Sequence, residues 1–204
     1  MSASSDIRSL LDEHGSTFAE EAGITLKDTP APLFRLLVLT SLLSANLDPR
    51  LGLRTARALG DAGLTTAAKL RDAGQDTRWQ LLTDSKYLRT QQTARQLGQL
   101  AEEAQDRYGG DLRRLRDGSD DVTAIRDAIQ AFTCIGPLGV DIFCREVQAV
   151  WPGLRPFADR RVLELARKRG LPADVTKLAR AAGTDDLSRV GAALLFADMA
   201  DRRA

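Results

Sequence analysis

The stretch that decides the fold runs from Phe132 to Val162 and has the sequence FTCIGPLGVDIFCREVQAVWPGLRPFADRRV. Its pattern predicts the end of one helix, a tight turn at residues 135–139, a second helix to about Val150, a loop rich in Pro and Gly, and a third helix opened by Asp159. The glycines of the turn allow a sharp change of direction because they carry no Cβ. The proline between them suits the first turn of a helix, where its missing N–H would be unpaired anyway.

The sequence at the tip of this hairpin predicts a binding site for an anion. It consists of Gly136, Pro137, Leu138 and Gly139, and the amides around the two glycines would point outward together at a helix N-terminus. Unpaired amides at the positive end of a helix dipole bind phosphate groups. The alternative is an ordinary helix–helix turn, because hairpins of two helices commonly contain Gly and Pro.

These residues resemble a known family. Residues 132–140 (FTCIGPLGV), with residues 157–162 (FADRRV) downstream, are similar to the hairpin and the Gly/Pro-rich loop plus aspartate of the endonuclease III-like DNA glycosylases, the helix-hairpin-helix/GPD superfamily. A second match lies upstream, where residues 42–46 (LLSAN), followed by Asp48 and a helix, resemble the family's leucine-serine-alanine-glutamine segment. The two matches stand in the family's order along the chain.

The resemblance implies a two-lobed, all-α fold of the endonuclease III type. One lobe would comprise about 1–30 plus 115–204, with the hairpin and the aspartate. The other would be a helical bundle of about 31–114. In the family, the active site lies in the groove between the lobes.

Asp159 is the candidate catalytic residue that the resemblance implies. Hydrolysis of a glycosidic bond passes through a transition state with positive charge on the sugar, and a fixed, ionised carboxylate stabilises that charge. A position at a helix N-terminus favours the charged form of the aspartate. The alternative is structural, because an aspartate at this position is also an ordinary N-cap.

Two hairpin residues depart from the family pattern. Leu138 stands where members that also cleave the DNA backbone have a lysine, whose amine forms a Schiff base with the sugar. Leucine cannot form one, so the resemblance implies a monofunctional glycosylase or a protein that has lost catalysis. Cys134 replaces the glycine that usually opens the hairpin, so the backbone could differ there.

Further DNA contacts are implied outside the hairpin. Asn46 corresponds to a family glutamine that fills the space left by the extruded base. Equally, Asn46 could be an ordinary asparagine at the C-terminus of a helix. Tyr87 and Leu88 lie where the family places an intercalating wedge, and at least one of them is expected in the core instead. Arg160 and Arg161 could contact phosphates beside the aspartate, although charge runs are usually solvated.

Composition excludes several kinds of site. The chain has 29 basic and 28 acidic side chains and a formal charge of +1, so any DNA binding must come from local sites and not from the net field. Its only cysteines are Cys134 and Cys144, which excludes a disulfide framework and the four-cysteine iron–sulfur cluster of many family members. The chain has a single histidine, His14, and a lone histidine is more typical of a surface residue than of a metal ligand or a catalytic base. We therefore expect no cofactor.

The sequence also bears on secondary structure and location. Abundant Ala, Leu and Arg with few aromatic residues favour helices throughout. The absence of a long apolar run and of a signal-peptide pattern indicates a cytoplasmic protein, and the resemblance to DNA glycosylases implies association with the nucleoid. Nothing demands more than a monomer. Predicted elements are helices over 6–21, 32–45, 49–62, from Thr65 or Thr66 to 73, from 76 on, over 86–108, from Asp120 or Asp121 to the hairpin, over 160–170, 172–182 and 185–202, with a connector over 112–119.

Three hypotheses follow. The leading one is a monofunctional DNA glycosylase that binds duplex DNA, extrudes a damaged or mismatched base and hydrolyses its N-glycosidic bond with Asp159. The second is a catalytically silent DNA-binding or repair-complex module with the same fold. The third is an all-helical interaction protein that does not bind DNA.

Overall fold

Helices make up all of the regular structure in residues 2–45 and 47–202, the part of the chain that the computed structural model describes. This confirms the all-α prediction. None of these helices is long and apolar enough to cross a membrane. The α-helices are α1 Ala3–His14, α2 Phe18–Glu21, α3 Pro30–Leu43, α4 Pro49–Asp61, α5 Ala67–Asp72, α6 Gly74–Asp84, α7 Thr90–Tyr108, α8 Arg113–Asp117, α9 Val122–Gln130, α10 Pro137–Val147, α11 Arg160–Lys168, α12 Val175–Ala182 and α13 Ser188–Asp201, with a 3-10 helix at Pro152–Leu154.

Four helices begin after N-cap residues that the sequence predicts, whereas α6, α12 and α13 begin at Gly74, Val175 and Ser188 and not at the predicted residues 76, 172 and 185. In each of the four a side-chain oxygen accepts a hydrogen bond from a backbone amide of the first turn, which would otherwise be unpaired. Of the two candidates before α9, Asp121 is the cap. The caps and their donors are Asp48 with Arg50, 3.0 Å; Thr66 with Lys69, 3.3 Å; Asp121 with Ala124, 2.8 Å; and Asp159 with Val162, 3.0 Å.

The largest differences from the predicted boundaries occur in three places. The first helix stops at His14 and a separate turn of helix follows at Phe18, because α1 is capped at Gly15. The supposed connector over residues 112–119 contains α8. Helix α7 begins at Thr90 and not at residue 86, because Lys86 and Arg89 both have a left-handed backbone with φ of 56°. A helix cannot continue through that conformation.

The chain divides into two compact units. The first comprises the residues up to Phe18 and those from Cys144 onward. Its apolar core joins α1, α11, α12 and α13 and includes Ile7, Leu10, Val162, Leu165, Leu178 and Leu194, each at most 7% exposed. Phe18 and Phe196 stack in the same unit with ring centroids 4.3 Å apart.

The second unit comprises residues 19–143. Its central helix is α3, as its nearly continuous apolar sequence predicts. Leu33, Phe34, Leu36, Leu37 and Leu39 of α3 have no exposed surface. Within this unit α4 packs on α3, and α5 and α6 pack on α7.

The division differs from the predicted lobes, whose boundaries lay at residues 30 and 114. In the structure the boundaries lie at Phe18 and within α10, after Phe143. Side chains link α8, α9 and the hairpin to earlier residues of the second unit. Arg116 pairs with Asp28 at 2.8 Å, the Thr133 amide donates to Glu103 at 2.8 Å, and Arg107 donates to the carbonyl of Ala131 at 3.3 Å.

Candidate nucleic-acid interface

The hairpin between α9 and α10 is anchored by buried apolar side chains. Ile129, Phe132 and Ile135 are at most 4% exposed. The Ile135 amide donates to the carbonyl of Phe132 at 3.2 Å, which closes the turn. Glu103 of α7 also accepts from both the amide and the hydroxyl of Thr133. The turn therefore has a fixed conformation.

Cys134 adopts a left-handed backbone with φ of 68°. For a side chain other than glycine this conformation costs roughly 1–2 kcal/mol. The turn thus has the backbone that a glycine at this position would adopt freely. Burial, with a smaller contribution from the Glu103 carboxylate, raises the pKa of the Cys134 thiol to about 11. The thiol is therefore protonated at neutral pH.

The tip of the hairpin is open to solvent. Gly136, Pro137 and Leu138 are exposed, and Leu138 is the most exposed large apolar residue in the part of the chain that the structure describes, at 57%. The amides of Leu138 and Gly139 lie in the first turn of α10, where no carbonyl of the same helix can accept from them. Leu138 is exposed but Gly139 is buried, so the predicted four-residue contact surface is reduced to Gly136, Pro137 and Leu138, with the Leu138 amide at the N-terminus of α10.

The two glycines of the tip have different surroundings. A Cβ added at Gly136 would meet nothing within 4 Å. A Cβ at Gly139 would lie 2.7 Å from the Ser44 hydroxyl and 3.1 Å from the Ile135 side chain. Gly139 therefore allows α10 to pack closely on the end of α3, whereas Gly136 keeps the approach to the tip open.

The hairpin has little positive charge of its own. Residues 127–144 contain neither Lys nor Arg. An anion at the tip would be held by backbone amides and by the helix dipole, which is the chemistry of sites at helix N-termini.

Asp159 belongs to the first unit and is enclosed there. Its Oδ1 accepts from the Val162 amide at 3.0 Å, and its Oδ2 lies 2.5 Å from Nη1 of Arg145. The side chains of Arg145 and Asp159 are only 6% and 4% exposed. Both carboxylate oxygens are thus occupied, one by the N-cap bond and one by a buried ion pair.

Gln148 fixes the loop that leads to Asp159. Its carboxamide oxygen accepts from the amides of Phe157 and Leu187, at 3.1 and 3.2 Å. Its carboxamide nitrogen donates to the carbonyls of Arg145 and Phe157, at 3.0 and 2.9 Å. The sequence analysis did not identify Gln148 or Arg145. The available signal was that Arg145, Glu146 and Gln148 are polar residues in the otherwise largely apolar segment after the hairpin.

The two arginines after Asp159 are both paired with acidic groups of the same unit. Arg160 donates to Glu164 at 2.8 Å, and its side chain is 92% exposed. Arg161 donates to Asp198 at 2.8 Å. Arg160 is accessible to a phosphate, whereas Arg161 is held along the surface by its aspartate.

Tyr87 and Leu88 differ in exposure. Tyr87 is 4% exposed and its hydroxyl donates to the carbonyl of Leu42 at 2.9 Å, so Tyr87 is the core residue of the two. Burial raises the pKa of Tyr87 to about 12. Leu88 is 53% exposed. Both line a cleft of about 210 Å³ that Cys134 of the hairpin also lines. Asn46 lies outside the described residues.

Among residues 2–45 and 47–202, no group of three or more His, Cys, Asp or Glu side chains is arranged to hold a metal ion. Comparisons of the chain with family models, with curated proteins and with solved structures give no match. The functional argument therefore depends on the geometry of the hairpin, of Asp159 and of the cleft.

Proposed function

We propose that this protein binds the backbone of duplex DNA through the hairpin at residues 132–140, as a non-catalytic helix-hairpin-helix module of the base-excision repair type. The observation that carries the proposal is the open tip. The first-turn amide of Leu138 lies there among three exposed residues, on a turn that buried side chains hold in place.

The chemistry of the tip fits a DNA backbone. Backbone amides and a helix dipole recognise a phosphate without reading a base. The open space at Gly136 allows the phosphate to approach the main chain. The exposed Leu138 side chain offers an apolar contact for a deoxyribose. Binding of this kind is independent of base sequence.

The geometry of Asp159 favours binding without base excision. A carboxylate that stabilises a cationic sugar must reach that sugar and present a negative charge to it. The carboxylate of Asp159 is buried, and the Arg145 guanidinium balances its charge at 2.5 Å. At the hairpin, Leu138 offers no amine for a Schiff base. Neither step of glycosylase or lyase chemistry therefore has a free side chain to perform it.

A monofunctional DNA glycosylase with Asp159 as its carboxylate is the second candidate function. One observation favours it. The Val162 amide and Arg145 both donate to Asp159 and so fix the position of its carboxylate, which stabilisation of a cationic sugar requires. For Asp159 to act in a glycosylase, Arg145 must release its carboxylate when a damaged or mismatched base is bound. Duplex DNA containing such a base is the substrate class.

A binding experiment tests the hairpin. The affinity of the protein for a fluorescently labelled duplex is measured by anisotropy for the native chain, Leu138→Glu and Val122→Glu. Val122 is also exposed and apolar, at 41%, and is the first residue of α9. We expect Leu138→Glu to weaken binding at least about tenfold, because its carboxylate repels phosphates at the tip. Equal effects of the two variants, or no binding by the native chain, would contradict the proposal.

An excision experiment separates the two candidates. The native chain is incubated with end-labelled duplexes that each contain one damaged or mismatched base, and alkali then cleaves any abasic site. We expect no cleavage. Cleavage that appears only after alkali, and that Asp159→Asn abolishes while its circular dichroism matches the native chain, would establish the glycosylase instead.

A further inference from the structure

Left-handed backbone conformations concentrate around the cleft beside the hairpin. Among the described residues only three non-glycine residues have a positive φ, namely Lys86, Arg89 and Cys134. Arg89 and Cys134 line the cleft, and Lys86 precedes Tyr87, which also lines it. Such conformations cost roughly 1–3 kcal/mol each and cluster at functional sites. Their location therefore indicates that this cleft is a candidate functional site.

The interior of the cleft is neutral and rich in hydrogen-bonding groups. It lies among the end of α3, the turn at residues 86–89, the start of α7 and Cys134. No carboxylate contributes to its lining. Besides Tyr87 and Arg89, the polar side chains that line it are Ser41, Ser44, Gln92, Thr93 and Gln96.

Gln92 and Gln96 are one turn apart on α7 and therefore lie on the same side of that helix. Among the described residues neither carboxamide has a hydrogen-bond partner. The hydroxyls of Ser41 and Ser44 donate to the carbonyls of Val38 and Thr40, at 2.8 and 2.7 Å. The cleft thus offers free donors and acceptors from the glutamines and acceptor oxygens from the serines.

The edge of the cleft is positively charged. Arg89 lines the cleft and also, with Arg95, an adjoining shallow depression. Both arginines are exposed, and neither lining includes an acidic side chain. At about 210 Å³ the cleft is smaller than the roughly 300–1,000 Å³ typical of pockets for drug-sized ligands, so its occupant is small.

We propose that this cleft receives one unpaired base of a DNA strand, with Gln92 and Gln96 bonding the edge of the base and Arg89 and Arg95 contacting the flanking phosphates. Paired amide groups match the donor and acceptor pattern of a base edge. Tyr87 and Leu88 supply apolar surface for the face of the base. The inference deepens the proposed DNA binding and rests on it for the identity of the polymer.

A first experiment tests the cleft without duplex DNA. Isotopically labelled protein is titrated with each deoxynucleoside monophosphate, and the side-chain amide signals of the glutamines are followed by NMR. We expect saturable shifts at Gln92 and Gln96 with at least one nucleotide, and none at Gln99, an exposed glutamine of α7 outside the cleft. Unmoved cleft signals, or equal shifts at Gln99, would overturn the assignment.

A second experiment compares a fully paired duplex with one that has a single unpaired nucleotide at its centre. We expect the native chain to prefer the second duplex by about tenfold, the order of one good amide-to-base contact. The double variant Gln92→Leu/Gln96→Leu should lose this preference and still bind the paired duplex, whereas Gln99→Leu should retain it. A preference that survives in the double variant would overturn the inference.

The two proposals fail in different ways. Native protein that binds paired duplex without preferring the unpaired nucleotide contradicts the cleft and leaves the hairpin proposal standing. Native protein that binds no duplex, but whose cleft glutamines respond to a nucleotide, contradicts the hairpin proposal and supports the cleft.

Discussion

The hairpin at residues 132–140 and the loop that ends at Asp159 are the two segments with the strongest resemblance to the endonuclease III-like pattern, and they differ in what they leave available. At the hairpin, Gly136, Pro137 and Leu138 are exposed, and Leu138 lies in the first turn of α10. At Asp159, an amide and a guanidinium occupy both oxygens, and the side chain is 4% exposed. A sequence pattern can thus place a residue correctly on a helix and still not say whether its functional group is free.

Arg145 is the source of that difference. It lies on α10, in the same unit as Asp159, and its guanidinium also lies over the Phe18 ring at 5.5 Å. The ion pair has almost no exposure, so water does not weaken it. Asp159 is therefore a buried anchor of the first unit, and the variants that test this have the largest expected effect.

Arg145→Leu should destabilise the protein by about 3–5 kcal/mol, because it leaves the Asp159 carboxylate buried without its partner. The free energy of unfolding in urea measures the loss. The control is Arg161→Leu, which removes a more exposed pair with Asp198 and should cost about 1 kcal/mol or less.

The double variant Arg145→Leu/Asp159→Asn makes the test specific. Asparagine retains an oxygen for the Val162 amide and carries no charge, so the double variant should be more stable than Arg145→Leu alone. A cost for Arg145→Leu no larger than that of the control would mean that Asp159 is not held as the geometry indicates.

The two hairpin glycines give the next largest contrast. Gly139→Ala should cost about 1–3 kcal/mol of unfolding free energy, because its Cβ would lie 2.7 Å from the Ser44 hydroxyl. Gly136→Ala should leave stability within about 0.5 kcal/mol, since its Cβ meets nothing within 4 Å. It should nevertheless weaken duplex binding by obstructing the tip. Unchanged DNA affinity in a stable Gly136→Ala protein would argue against phosphate binding there.

Asp121→Ala should have a smaller effect. It removes the side-chain oxygen that accepts from the Ala124 amide at 2.8 Å, at the start of the helix leading into the hairpin. The expected cost is about 1 kcal/mol. Asp120→Ala is the matched control, because Asp121 and not Asp120 caps α9. It should change the unfolding free energy by about 0.5 kcal/mol or less. Equal costs would mean that α9 begins differently.

Local chemistry made much of this fold predictable. The caps at Asp48, Thr66 and Asp159, the apolar helix α3 and the Gly-Pro turn depend on neighbouring residues or on periodicity, which one sequence shows directly. The pairing of Arg145 with Asp159 joins residues on two separate helices. It depends on how those helices pack, and no local pattern reveals that.

The cleft was hidden for a similar reason. The sequence drew attention to Tyr87 and Leu88 through the resemblance, but Gln92 and Gln96 look like ordinary surface residues of α7. The left-handed conformations at Lys86 and Arg89 occur without glycine, the residue that would have signalled them. Only the fold brings these residues to the same place as Cys134.

Cys134 gives the smallest expected effect, and it tests whether the hairpin is as rigid as the structure shows. The pKa of its thiol is about 11 in the folded protein, above the ordinary value of 9.0. The folded state therefore keeps this proton at pH values where the unfolded chain releases it. The stabilisation that results is complete below about pH 9 and is lost as the pH rises through about 11.

Cys144→Ala leaves Cys134 as the only thiol, and because both proteins in the comparison carry this change, the effect of removing Cys144 cancels. Unfolding free energies of Cys144→Ala and of Cys134→Ala/Cys144→Ala are compared between neutral pH and about pH 9.5. As the pH rises, the protein that retains Cys134 should lose unfolding free energy relative to the double variant, by less than about 1 kcal/mol over this range. Tyr87 is common to both proteins and cancels. A difference independent of pH would mean that the thiol is as solvated as in an unfolded chain, and that the turn around Cys134 opens readily.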